Sequence, residues 1–272
     1  MATERDYVLG THDEELARLG LQNEVWRPVV LEFWQRAGIT TGSRVLDVGA
    51  GPGYATVDLA QIVGPGGAVV SLERSSNFVK AMRENIRARS LSQVQVHELD
   101  LMTDELPRGD YDFAWCRWVA TFVTDPALLV QKIGGVLKKG GHILFHEYGD
   151  YLSWRFSPRL PLQEEFARKV AASWRAAGGE PDIALQLPPL LHENGFAVRS
   201  AVPRIFCIAP NDRMWQWPSS FVGIGLDRLQ QLGVLDEQFA RDLRAEFAQA
   251  EANPNSLMLT PLVMEIIAEK IS

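Results

Sequence analysis

The chain has 272 residues, 46 % of them hydrophobic and 22 % charged, which is enough to bury a full core in one large α/β domain. Its net charge of −7 disfavours nucleic acid as a partner, because an acidic chain gains nothing from counterion release along a phosphate backbone. No apolar run approaches membrane-spanning length, the charged first six residues predict no secretory signal, and no Cys/His cluster has metal-ligand spacing.

In chain order, residues 13–37 predict two amphipathic helices. Trp26, Val29, Val30, Phe33 and Ala37 recur at helical spacing, with Pro28 in a first turn where its missing N–H is tolerated. Such a layer either packs on the core or covers a ligand; Gln22 and Tyr7 are polar groups that a cover could point inward. Residues 45–56 then read as a short buried strand that stops at Asp47, runs through Gly49, Gly51 and Gly53, and opens an apolar helix. Glycines there let the chain turn sharply and let a ligand lie against main-chain atoms, while the helix N-terminus adds unpaired N–H groups. The spacing is neither G-x-G-x-x-G nor a phosphate loop ending in Lys-Ser/Thr.

From 43 to 148 strands and helices alternate. Strand candidates lie at 44–48, 68–72, 93–97, 111–116 and 142–147, and helix candidates at 54–63, 75–90 and 126–138. That alternation predicts right-handed crossovers and a parallel sheet covered on both faces, with ligands beyond the carboxyl ends of its strands. The residues at those ends are Asp47, Glu73, Asp100, Cys116-Arg117-Trp118 and His146-Glu147-Tyr148. An acid ending the second strand can accept both hydroxyls of a ribose, and an acid ending the third can accept the exocyclic amine of an adenine. With the glycine turn they make an adenosine-shaped site that has no basic residue placed for a pyrophosphate.

From about 42 to 148 these residues resemble the core of the class I S-adenosylmethionine (SAM) methyltransferases. The resemblance implies a Rossmann-like α/β fold: a seven-stranded, mostly parallel sheet with helices on both faces, plus N-terminal helices and a helical lid. It further implies that Asp47, Gly49, Gly51 and Gly53 form the cofactor turn, that Glu73 binds the ribose, and that Asp100 reads the adenine with Leu101 packed near the ring. Cys116 and Arg117 border the methionine part. On the residues alone, Cys116 also suits plain strand packing, and Arg117 a surface pair with Asp112 or Asp125. Cys116 and Cys207 read as reduced, buried thiols of a cytoplasmic protein.

Beyond the core, helical sequence runs from about 161 to 177, a short helix precedes Gly195, a strand candidate covers 196–208, and more helix extends to about 251. In the family the final strand is antiparallel, and 261–270 is assigned to it. The chain divides accordingly into an N-terminal cover (1–41), the SAM-binding core (42–148), a lid insertion (149–187), continued core (188–210), a helical insertion (211–256) and the final strand (257–272), all within one structural domain. Both insertions leave the carboxyl edge of the sheet, so they should fold over the cofactor. Trp118, Tyr151, Trp154, Trp217 and Phe221 are the candidate substrate pocket, suited to an aromatic or apolar small molecule.

The expectation is a SAM-dependent methyltransferase acting on a small acceptor, with S-adenosylhomocysteine (SAH) as product, no metal, and neither nucleic acid nor membrane as partner. Candidate bases are Glu147, His146 and Tyr148; His146 could equally point into the sheet–helix layer as a core residue. A macromolecular methyltransferase, a non-catalytic SAM-binding protein and a nicotinamide-linked oxidoreductase are the alternatives.

Overall fold

A computed structural model describes residues 13–272; Tyr7 and the rest of the first 12 residues of the predicted N-terminal cover lie outside the described residues. The chain runs α1 (Asp13–Ala37), β1 (Arg44–Val48), α2 (Tyr54–Val63), β2 (Ala68–Glu73), α3 (Ser76–Ala88), β3 (Val94–Glu98), β4 (Tyr111–Arg117), α4 (Pro126–Val136) and β5 (Leu137–Asp150). It continues through β6 (Arg155–Ser157), α5 (Pro161–Ala176), α6 (Leu187–Glu193), β7 (Phe196–Arg204), β8 (Cys207–Ile208), α7 (Gln216–Gln231), α8 (Glu237–Ala252), β9 (Leu257–Leu259) and β10 (Leu262–Lys270).

Seven strands form the main sheet in the order β3-β2-β1-β4-β5-β10-β7. Neighbours from β3 to β5 are parallel, and β10 is antiparallel to both β5 and β7, as expected for 261–270. Strand order reverses between β1 and β4, which opens a crevice at their carboxyl ends. Alternate residues feed two cores. Leu46, Val48, Ala114, Cys116, Ile143 and Phe145 pack with α4 and α6 on one face. Val45, Val69, Phe113, Trp115 and Leu144 pack with α1, α2 and the inserted helices on the other.

Three predicted features change. Residues 13–37 form one 25-residue helix with Pro28 inside it, instead of two helices. The buried stripe Val25, Trp26, Val30, Phe33 and Trp34 continues across the proline, and burying those side chains outweighs one missing backbone bond. The 196–208 candidate breaks after Arg204, and β8 leaves the main sheet to join β6 and β9 in a small antiparallel sheet, ordered β6-β9-β8, that the sequence reading lacked. Cys207, in β8, is exposed rather than buried.

The helices of the two insertions form one layer against α1. Helices α5, α7 and α8 pack on one another, and α7 also packs on α1. Trp217 of α7 meets Trp26 of α1 edge-on at 4.8 Å. Among the described residues no helix is long and apolar enough to cross a membrane, and no group of three or more His, Cys, Asp or Glu could hold a metal ion.

Candidate active site

A cavity of about 470 Å3 opens at the carboxyl ends of β1, β2, β3 and β4, where the strand order reverses. Its floor is the turn between β1 and α2. Gly49, Gly51 and Gly53 all have positive φ (65°, 56° and 84°), which L-residues rarely adopt. Gly49 has a second requirement, since a Cβ there would stand 2.4 Å from Val119 Cγ2. At Gly51 a Cβ would meet nothing within 4 Å, so the bare backbone faces open space in the cavity wall. Gly53 stands just outside the cavity; it caps α2 and lies against Met82.

Glu73, ending β2, links the turns around it. Its Oε2 accepts from Gly51 N at 2.9 Å, and its Oε1 accepts from Arg74 N (2.9 Å) and Ser75 N (2.8 Å). Burial raises its pKa, while the N–H groups of Ser75, Gly51 and Arg74 pull it back down. An ionised carboxylate accepts about four hydrogen bonds, so acceptor capacity remains on the cavity side. Asp100 begins the turn after β3. Its Oδ1 accepts from Met102 N at 2.8 Å, and Lys132 Nζ donates to Leu101 O and Asp104 O, both at 2.8 Å, holding Leu101 and Met102 on the cavity wall. Asp47 also lines the cavity, but Thr56 Oγ1 donates to its Oδ2 at 2.6 Å and burial pushes its pKa up to about 7.

Arg117 and Trp118, at the end of β4, complete the wall. Trp118 is a non-glycine residue at φ 50°, an uncommon conformation that directs the chain from β4 into the Ala120–Phe122 turn. Helix α1 roofs the cavity with Leu19, Gln22 and Asn23, and Tyr54 OH donates to Leu16 O at 3.0 Å to fasten that helix above the glycine turn.

Gln22, Asp47, Gly49, Gly51, Glu73, Asp100, Leu101, Arg117 and Trp118 thus share one cavity, and the other expected residues among those described do not line it. Cys116 is buried on the α4 side, where burial raises its thiol pKa well above the ordinary value. Glu147, expected as a base, is fully buried and accepts from Val119 N (2.8 Å), Ala120 N (3.0 Å), Thr121 N (3.3 Å) and Thr121 Oγ1 (2.9 Å). Its carboxylate builds the turn that sets Val119 on Gly49; burial pushes its pKa up to about 7 against those donors. His146 is also fully buried, within 4.9–6.3 Å of the rings of Trp26, Trp118, Trp115 and Phe33. Burial, aided by Arg117 and Arg204, drives its pKa well below the ordinary value, which keeps it a neutral core residue.

Tyr148, Tyr151, Trp154, Trp217 and Phe221 are buried in the inserted layer behind Trp118. Trp118 stacks on Tyr148 (5.6 Å) and on Trp217 (5.7 Å), so this aromatic set supports the wall through one ring. Sequence reasoning missed Leu19, Asn23, Phe122, Val123 and Thr124 on the cavity wall. Helical spacing puts Gln22 one turn before Trp26 on the buried face; no comparable signal marks the loop residues.

A family profile described as a methyltransferase domain matches residues 39–187. An uncharacterized 37.1 kDa protein of transposon TN4556 from Streptomyces fradiae is 32 % identical over 60 % of this chain and 46 % of its own length. The ubiquinone/menaquinone biosynthesis C-methyltransferase UbiE of Teredinibacter turnerae is 27 % identical over 54 % of this chain and 61 % of its own. The chain spans about half the length of the curated relatives it matches. Among solved structures, the YcgJ protein of Bacillus subtilis shares the fold with a TM-score of 0.58 at 16 % identity, over 89 % of this chain and 97 % of that one. With the glycine turn, the strand-end acids and a profile match over more than half its length, the chain belongs to the methyltransferase-domain family of the class I, SAM-dependent type.

Proposed function

We propose that this chain transfers a methyl group from SAM to a small, aromatic or apolar acceptor. The observation that carries the reading is the single cavity joining the open backbone at Gly51, the carboxylate of Glu73 and the Asp100–Met102 turn on one rim. The fit is specific in kind: a flat group beside Leu101 and Met102, a diol at Glu73, and an extended chain over the glycines. When bound, SAM supplies a methyl group made electrophilic by its sulfonium; the acceptor's lone pair forms the new bond and the S–CH3 pair returns to sulfur. The chain's own residues position, and α1 with Trp118 and Phe122 keeps water from the reacting end. The acidic chain and a cavity of about 470 Å3 favour a small acceptor over a macromolecule. Relatives named as quinone C-methyltransferases support an aromatic one.

Calorimetry with SAH is the test. The wild type should bind, and Glu73→Ala should weaken binding by about tenfold or more, because charge-assisted bonds contribute about 1.5–3 kcal/mol each. No heat at millimolar SAH, or an unchanged affinity in Glu73→Ala, would sink the proposal.

A further inference from the structure

Among the described residues, Arg117 has no carboxylate within ion-pair distance. It lines the cavity, and its guanidinium lies 4.5 Å from the centre of the Trp118 ring. Burial lowers its pKa to about 10, and of the two groups that pull it back up, Tyr148 acts more strongly than Asp47. A half-buried guanidinium that faces a cavity without a carboxylate partner favours an incoming anion.

Two anions meet that description: the carboxylate of the cofactor's methionine part and an oxyanion on the acceptor. Register pairs Val48 with Cys116, so Arg117 follows on β4 beside the start of the glycine turn, and its guanidinium lies on Trp118, whose ring stacks on Tyr148 and Trp217. For the cofactor's carboxylate, α1 offers Gln22 in the roof. Its Oε1 is held by Arg18 Nη1 at 3.0 Å and its NH2 remains to donate, with Arg18 itself gripped by Glu15. Among the described residues the cavity's potential bases are already engaged. No histidine lines it, Asp47 is bonded to Thr56, and Glu73 is bonded to three N–H groups. Asp100 stands at the end of β3, three strand spacings (roughly 14 Å) from β4.

We propose that Arg117 anchors an anionic oxygen of the methyl acceptor, so that the acceptor is an acid bound as its conjugate base, a phenolate, enolate or carboxylate. The proposal rests on the methyl-transfer reading above. The acceptor's O–H proton leaves to water on ionisation, so no residue has to take it. The oxygen, or a carbon conjugated with it, then carries the electron pair that attacks the methyl while the S–C pair goes to sulfur; where that carbon belongs to an aromatic ring, its proton leaves to water as the product departs and aromaticity is restored.

The test is calorimetric titration of the SAH-loaded chain with 2,4-dinitrophenolate and with its neutral methyl ether, 2,4-dinitroanisole. The wild type should prefer the anion by about tenfold or more, Arg117→Gln should remove the preference, and Arg117→Lys should keep part of it. SAH affinity should stay within about threefold in Arg117→Gln, which also shows that the variant is folded. Equal binding of the two probes, binding of neither, or an Arg117→Gln chain that loses SAH affinity while keeping the anion preference would each overturn the proposal. A wild type that takes up no SAH defeats the methyl-transfer reading instead, and that failure is visible before any phenolate is added.

Discussion

At the scale of single residues, the glycine turn separates two reasons for having no side chain. Gly49 and Gly51 share a left-handed backbone, but only Gly49 is pressed against protein. Gly49→Ala should cost about 2–4 kcal/mol, since strain at φ 65° adds to a clash with the Val119 side chain, and urea denaturation would read it. Gly51→Ala should cost only about 1–2 kcal/mol yet weaken SAH binding about tenfold or more, because its methyl enters the cavity. Equal effects of the two substitutions on SAH affinity would contradict that division. Glu147 shows the opposite case, a charged residue whose position at a strand end suggested chemistry. Its four hydrogen bonds to residues 119–121 make it a positioning residue. Glu147→Ala should destabilise the chain by about 2–4 kcal/mol and loosen the Val119 wall over Gly49.

At the scale of elements, α1 is where local and tertiary preferences conflict. Pro28 sits on the exposed side of a helix whose other side buries Trp26, Phe33 and Trp34. Pro28→Ala should restore a backbone bond and raise stability by about 1–3 kcal/mol, seen as a higher melting temperature with unchanged SAH affinity. A lower melting temperature would mean that the proline's stiffening of the unfolded chain dominates. The small β6-β9-β8 sheet is the converse case. Strands of two and three residues are too short to show a period, and they exist because the first insertion meets the chain entering and leaving the second one there, with Arg155 opposite Leu259 and Cys207 opposite the same residue.

Over the whole molecule, several carboxyls are buried deeply enough to resist ionisation. Asp47 and Glu147 are both pushed up to about 7 by burial, so each binds a proton in the folded chain that it has lost in the unfolded one over the window from ordinary carboxylate values to about 7. Stability from these groups is therefore full at the acid end of that window and declines as pH rises through about 7. The exposed pairs act in the other direction: Arg175 and Lys138 lower the pKa of Glu180 and Asp112, whose stabilisation fades only in acid. His146, held neutral in the folded chain, acts in the opposite direction below its ordinary value, so the reading is a difference: the melting temperature of Asp47→Asn relative to the wild type should rise from about pH 5.5 to about pH 8. A difference between the two that stays constant across that range would exclude ionisable burial at Asp47.

The alternating strand and helix pattern by itself determined the parallel sheet and the rim that gathers Asp47, Glu73, Asp100 and Arg117, while the antiparallel last strand followed only from the family resemblance. Those features depend on the order and periodicity of neighbouring residues, and every strand of a parallel sheet delivers its carboxyl end to the same edge. Tertiary structure alone decided which way the chemistry-bearing side chains face. His146 and Glu147 are adjacent in β5, yet one enters a ring of aromatics from α1 and β4 and the other captures the amides of the turn after β4. Trp217 and Phe221 likewise became supports behind Trp118, leaving Arg117 at the cavity surface. The partners that settle these orientations come from segments far away in the chain, whose separation no local pattern records.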